Sequence, residues 1–346
     1  MKRLAPHLLL VAAAVTWPFL TPAGAWFSGA LAVSYAFVAL SLVVLSGWTG
    51  QISLGQAAFY GFGVYLVRPI LDAGVPALPA LLVVGAAGAA ISLVLGVPSL
   101  RLRGVYLAIA TLAFGAMCQN YLFNQDIISG GTASQLIPRP AGLESTRAFY
   151  LATLLPLGIA LLVVGQLRRS DVGRVLIAMR DSENAAQALG VRLASYKIGV
   201  FAFSAGLACI GGALYGMLIG ATPSGTNFGV LQSWFFLAMP VVGGLRSISG
   251  AVVGGALFAA AQPLTNELGI RLYLTSGLLV IVVLLSRSDG IVGLLRSLRA
   301  GFRRELAGAE ERRLARSTRP APARLRLTVE DEVGTPSRLR LVRAQR

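Results

Sequence analysis

Between Arg168 and Lys197 the chain gathers Arg168, Arg169, Asp171, Arg174, Arg180, Asp181, Glu183, Arg192 and Lys197, its longest polar interruption between apolar runs. Charges of both signs on a helix-like stretch closed by Gly190 suit a docking surface better than a reaction. A second polar group, Gln51, Ser53 and Gln56, lies between Gly50 and Gly61 beside an apolar run. Amide and hydroxyl groups placed there either line a solute pathway or bond between helices. Reactive chemistry has little material. His7 is the only histidine, and Cys118 and Cys209 sit in separate apolar runs without a CxxC pair, as buried structural thiols do. GxxxxGK[ST], GxSxG and HExxH are all absent, so the sequence is not read as an enzyme and calls for no cofactor.

These polar groups have to be positioned by apolar elements. The 346 residues are 55% hydrophobic and 13% charged, with a mean hydropathy of +0.72. Soluble domains carry about 25% charged residues. A membrane β-barrel would alternate polar and apolar residues, and runs such as 151–164 do not. The expected fold is all-α and polytopic. Apolar runs at 8–23, 27–46, 53–67, 77–97, 104–123, 149–166, 196–219, 230–244, 250–267 and 271–286 give about ten spans. Two of them, 53–67 and 230–244, are short enough to be tilted, broken or re-entrant.

The formal charge of +16 invites a nucleic-acid reading, but its distribution argues against one. With an even span count, Lys2, Arg3, Arg101, Arg103, the 168–197 segment, Arg246 and the Arg-rich tail share one face. Arg68, Arg139, Arg147 and Arg271 fall on the other. The richer face is then cytoplasmic and carries both termini. Residues 1–26 also resemble a signal peptide, with Ala23-Gly24-Ala25 as a cleavage site. Cleavage would spoil the even count, so the reading keeps an uncleaved first helix. Three regions follow: 1–26 as an N-terminal helix, 27–290 as the membrane core, and 291–346 as a basic tail.

In the tail, Leu294, Leu298, Phe302 and Leu306 recur every four residues among arginines, the pattern of a helix lying on anionic lipid. Past Arg312 there is no helical period, and disorder is expected. Glycines at Gly85/Gly88, Gly211/Gly212/Gly216 and Gly250/Gly254/Gly255 predict close helix packing. In the polar segment Val172, Val175, Leu176 and Met179 form an apolar stripe, with Arg174, Arg180, Asp181 and Glu183 projecting elsewhere. Such a helix either seats on a soluble partner or anchors its neighbouring spans. The acidic residues fall in loops or at span ends, which disfavours proton- or sodium-coupled pumping.

Several stretches resemble one family. Residues 180–190, Arg-Asp-Ser-Glu-Asn-Ala-Ala-Gln-Ala-Leu-Gly, are similar to the EAA-type coupling loop of ABC importer permeases, in the version found in branched-chain amino acid transport. Residues 50–61, 101–112, 211–215 and 243–250 resemble further motifs of that family, in order, over about residues 30–290. The resemblance is closer to the LivM-type than to the shorter LivH-type subunit. It departs at Glu183-Asn184-Ala185-Ala186, where a plain Glu-Ala-Ala is the family form, and at 129–135 and 288–291.

The resemblance implies a type II ABC importer permease in the plasma or inner membrane. It would work with a LivH-type permease, two ATP-binding subunits and an extracytoplasmic substrate-binding protein. Arg180, Asp181, Glu183, Ala185, Ala186 and Gly190 would then couple to the ATPases, while Gln51, Ser53 and Gln56 are candidate pathway or gating positions. The cargo expected is a branched-chain or other small neutral amino acid. Permeases for urea and short-chain amides are closely similar, and an ATP-independent facilitator for small polar solutes also fits the composition.

Overall fold

A computed structural model describes residues 25–99, 104–129, 135–140, 142–223 and 225–267. The spans expected at 8–23 and 271–286, Arg101, Arg103 and the basic tail lie outside the described residues. Eleven α-helices are described: α1 (Ala25–Leu42), α2 (Gln56–Asp72), α3 (Ala77–Ser99), α4 (Val105–Asn120), α5 (Asp126–Ser129), α6 (Thr146–Arg169), α7 (Asp171–Asp181), α8 (Glu183–Ala188), α9 (Leu193–Ile219), α10 (Val230–Gly243) and α11 (Ile248–Glu267). The eight apolar runs expected between residues 27 and 267 correspond to α1, α2, α3, α4, α6, α9, α10 and α11. Five described helices, the first counted through Trp48, are long and apolar enough to cross a membrane.

The two short runs are irregular, each in its own way. The 14 residues of α10 rise only about 21 Å, less than the ~30 Å hydrocarbon layer, and a 3-10 turn at Gly225–Phe228 precedes them. Before α2, residues 50–55 are not helical, although Gln51, Ser53 and Leu54 are buried. Irregular backbone at membrane depth is tolerated where protein covers it. α1 runs into a π-helical turn, Val43–Trp48, that no residue pattern announces.

The core is built on α9, which packs against α1, α2 and α3. Lipid tails supply no hydrophobic drive between helices, so close backbone approach has to replace it. A Cβ on Gly212 would overlap the Tyr60 carbonyl, and one on Gly63 the Cys209 carbonyl, so α2 and α9 cross with a glycine on each side. Gly88 meets Cys209, and Gly254 meets the Met239 carbonyl where α10 and α11 pack. The Ser34 hydroxyl donates to the Gly211 carbonyl at 2.8 Å and therefore accepts from Tyr60 Oη, also at 2.8 Å. Tyr60 meets Phe236 edge-on at 4.9 Å between ring centroids, and Phe235 meets Phe258 at 5.1 Å, within the aromatic layer joining α1, α2, α10 and α11.

Side-chain and backbone contacts sort the loops into two ends of the bundle. At one, Arg168 lies over Trp48, Arg180 reaches Gly47, and Gly47 presses on the Leu245 carbonyl. At the other, Arg139 donates to the Leu218 carbonyl at 2.7 Å, Ile137 N–H to the Gly220 carbonyl at 2.9 Å, and Tyr65 Oη to the Pro223 carbonyl at 2.8 Å. This is the grouping that an alternating thread of spans requires. Described acids take helix ends or loops: Asp72 closes α2 beside Arg68, Asp171 opens α7 and Glu183 opens α8.

Candidate functional site

The 168–197 segment folds into two short helices set at one end of the bundle. Ser170 makes the corner. Its N–H caps the end of α6 through the Gln166 carbonyl at 3.0 Å, and its Oγ accepts from Gly173 N–H at 3.4 Å to start α7. Gly173 is needed at this corner, because a Cβ would strike the Leu167 and Arg168 carbonyls. Ser182 repeats the device, accepting from Ala185 N–H at 3.2 Å to start α8. Side-chain caps of this kind contribute about 1 kcal/mol each. At the end of α8, Gly190 N–H reaches the Gln187 carbonyl at 3.0 Å and Val191 N–H the Ala186 carbonyl at 3.1 Å. That pair of bonds is the Schellman motif, which requires the left-handed φ of +84° that Gly190 adopts.

The inward face differs from the expected stripe. Leu176 (0% exposed) and Met179 are buried together with Gly173, whereas Val172 is 39% exposed. The stripe is rotated because the Ser170 corner presses Gly173 onto the end of α6. Arg180 was expected to project outward and instead turns in: its Nη1 donates to the Gly47 carbonyl at 2.9 Å. Gly47 lies in the last turn of its helix, where carbonyls lack a helical donor, and the guanidinium supplies one. The Arg180 stem passes beside Gly50, whose φ of +71° favours glycine.

Of the other expected coupling residues, Asp181, Ala185 and Gly190 are exposed, Glu183 is half-buried, and Ala186 is buried. Glu183 pairs with Lys197 at 2.6 Å, tying α8 to the first turn of α9. Arg174 pairs with Asp171 on the outer surface at 2.9 Å. Val172, Ile177 and Leu189 remain on the outside, Leu189 at 85% exposure. The result is an outer face of mixed apolar and charged groups carried on an inner face locked to the bundle.

The second group, Gln51, Ser53 and Gln56, lies just inward of the Arg180 contact along the chain. All three are buried. Gln56 Nε2 donates to Ser204 Oγ at 2.9 Å, and Ser204 Oγ donates to the Ser41 carbonyl at 2.9 Å, joining α2, α9 and α1. Ser46 Oγ donates to the Gln51 carbonyl at 2.9 Å, and Leu54 N–H to Thr111 Oγ1 at 3.0 Å. Ser53 Oγ accepts from Gly55 N–H at 3.4 Å. Gln51 Nε2, Gln56 Oε1 and Trp48 Nε1 are buried with no hydrogen-bond partner among the described residues. A polar atom left in that condition costs about 1–3 kcal/mol. Sequence reasoning did not single out Trp48, Ser204 or Thr111: Ser204 is a lone hydroxyl inside an apolar run, Thr111 stands in the 101–112 motif, and Trp48 follows the run at 27–46.

The comparisons with known proteins agree on one family. Residues 27–286 match the family described as branched-chain amino acid transport system / permease component. The chain is 30% identical over 318 residues to the high-affinity branched-chain amino acid transport system permease protein LivM of Salmonella typhimurium, covering 84% of this chain and 75% of that protein. LivM of Escherichia coli is 30% identical over 316 residues, covering 83% and 74%. The corresponding LivH protein of Salmonella typhimurium is 24% identical over 293 residues, covering 76% and 92%. No solved structure is a significant match to the chain. With a family match spanning the core helices and LivM identity over most of its length, the chain belongs to the permease component family of branched-chain amino acid transport systems.

Proposed function

We propose that this chain is the LivM-type membrane subunit of an ABC importer for branched-chain or other small neutral amino acids. It sits in the cell membrane as a multi-pass protein with both termini cytoplasmic. It pairs with a LivH-type permease, receives solute from an extracytoplasmic binding protein, and is driven by two ATP-binding subunits on its cytoplasmic side. The chain itself performs no covalent chemistry.

The observation that carries this reading is the α7–α8 unit. Its outer face presents Val172, Ile177 and Leu189 among charges, the composition of a surface that docks a soluble partner. Its inner face is fixed at separate points, through Leu176 and Met179, through Arg180 on Gly47 and through Glu183 on Lys197. A push on the outer face therefore moves helix ends in the membrane and is not absorbed in a loose loop. Asp181 and Ala185 lie on the outer face, the buried Ala186 seats α8 on the bundle, and Gly190 sets where the helix ends.

The test is the double variant Glu183→Gln with Gly190→Ala, in the complete transporter in proteoliposomes. A left-handed non-glycine residue costs roughly 1–2 kcal/mol, and loss of the Lys197 pair loosens the same end. Uptake per ATP hydrolysed is expected to fall about tenfold, with membrane insertion unchanged. Wild-type uptake by this variant would count decisively against the coupling role. The cargo is settled by binding measurements on the partner binding protein.

A further inference from the structure

Arg180 carries a polar contact from the coupling segment into the junction between α1 and α2. Arg180 Nη1 holds the Gly47 carbonyl, inside the π-turn Val43–Trp48. Gly47 in turn abuts the Leu245 carbonyl between α10 and α11, where a Cβ could not fit. Immediately beyond the π-turn, Gly50 takes a φ of +71° and the backbone stays non-helical until Gln56. One arginine side chain thus rests on the place where two membrane helices are joined by irregular backbone.

That irregular stretch is anchored at its two ends, by Gly50 N–H on the Ser46 carbonyl at 3.2 Å and by Gln56 Nε2 on Ser204 Oγ at 2.9 Å. Ser46 Oγ to the Gln51 carbonyl, and Thr111 Oγ1 accepting from Leu54 N–H, tie it to α4 and to the π-turn. Its amides are incompletely satisfied: Gln51 Nε2 and Gln56 Oε1 are buried without a partner among the described residues, one a donor and the other an acceptor. Buried amides in this condition favour any alternative arrangement in which water or a polar solute reaches them. Non-helical backbone at membrane depth is found where it lines a path as well as where protein covers it.

We infer that residues 50–56 form a gate at the coupling end of the bundle, that Arg180 holds it shut through Gly47, and that opening presents the Gln51 and Gln56 amides to the solute. The inference rests on the coupling reading of α7–α8 and adds to it where the force arrives. A rocking of α7 that draws Arg180 off Gly47 frees the π-turn, and the segment behind it loses its outer restraint. A donor and an acceptor spaced along the exposed stretch suit a small solute carrying both carboxylate and ammonium groups.

The experiment is thiol accessibility in the complete transporter, read by peptide mass spectrometry with a membrane-impermeant maleimide. Gln51→Cys is compared with Ile52→Cys, its neighbour, which is 48% exposed. Cys118 and Cys209 are buried and provide the internal background. With Arg180 in place, Gln51→Cys is expected to react at least about tenfold more slowly than Ile52→Cys. Adding Arg180→Ala should raise the Gln51→Cys rate about tenfold, since a hydrogen bond from a charged donor is worth at least ~1.4 kcal/mol, and leave the Ile52→Cys rate within about twofold of its starting value. Arg180→Lys serves as a second variant should the alanine fail to assemble. Equal Gln51→Cys rates with and without the Arg180 guanidinium overturn the gate. Uptake measured in parallel separates the two ideas. Faster labelling with normal uptake keeps the gate and removes the coupling role, whereas unchanged labelling with lost uptake does the reverse.

Discussion

Gly212→Val is expected to destabilise the membrane fold by several kcal/mol, on the order of a third of its total stability. The Gly212 position faces the Tyr60 carbonyl so closely that even a Cβ has no room, and the contact is backbone, which cannot swing aside as a side chain can. Separating α2 from α9 to admit the valine would also pull Tyr60 Oη from Ser34, and Ser34 from the Gly211 carbonyl. Overpacking costs about 1–3 kcal/mol and each lost hydrogen bond about 1 kcal/mol, against total stabilities of roughly 5–15 kcal/mol. Detergent-solubilised variant is expected to melt roughly 10 °C lower and to accumulate poorly in membranes. Gly199→Ala, thirteen residues earlier on the same helix, is expected to shift the melting temperature by less than about 3 °C. Among the described residues, no neighbour lies within 4 Å of a Cβ at Gly199. Similar shifts from the two variants would mean that glycine acts here through helix propensity and not through packing.

That contrast marks what the amino-acid sequence reveals of this fold. Small-residue spacing at Gly211, Gly212 and Gly216 pointed to close packing, and the helix crossings bear it out. The spacing does not tell which glycines touch, because Gly199 and Gly212 lie on one helix and differ only in what the chain brings opposite them. Hydropathy located the eight described apolar runs well, since lipid solubility is a property of composition over about 20 residues. The π-turn at Val43–Trp48 left no such trace. Within it Gly47 meets the Leu245 carbonyl, nearly two hundred positions further along the chain, a contact that local sequence does not encode.

The candidate site was half legible for the same reason. Caps at Ser170 and Ser182 and the stop at Gly190 are local chemistry, so helix ends near them follow from the residues themselves. The direction of Arg180 does not. Periodicity placed Leu176 and Met179 on the apolar stripe, where they are buried, and Arg180 away from it, whereas the Arg180 side chain reaches back to the Gly47 carbonyl. A long aliphatic stem lets a charged head travel across apolar surface to an orphan carbonyl, and no sequence pattern names that carbonyl in advance.

Arg180→Ala is accordingly expected to have the largest functional effect of any single substitution in the segment. It removes a charged donor from the Gly47 carbonyl, an interaction worth about 1.5–3 kcal/mol, so uptake driven by ATP should fall about ten- to hundredfold. Because Arg180 points inward, the outer face of α7–α8 keeps its shape, and the ATP-binding subunits should still co-purify and hydrolyse ATP. Arg174→Ala is the matched comparison: its pair with Asp171 is solvent-exposed on both sides, and exposed pairs contribute little. Uptake in that variant is expected to stay within about twofold of the unmodified protein. Arg180→Lys keeps the charge with one donor group in place of a planar fork, and an intermediate uptake is expected from it. If Arg180→Ala instead released the ATP-binding subunits, the residue would belong to the docking surface, and the route of force through Gly47 into α1 would have to be abandoned.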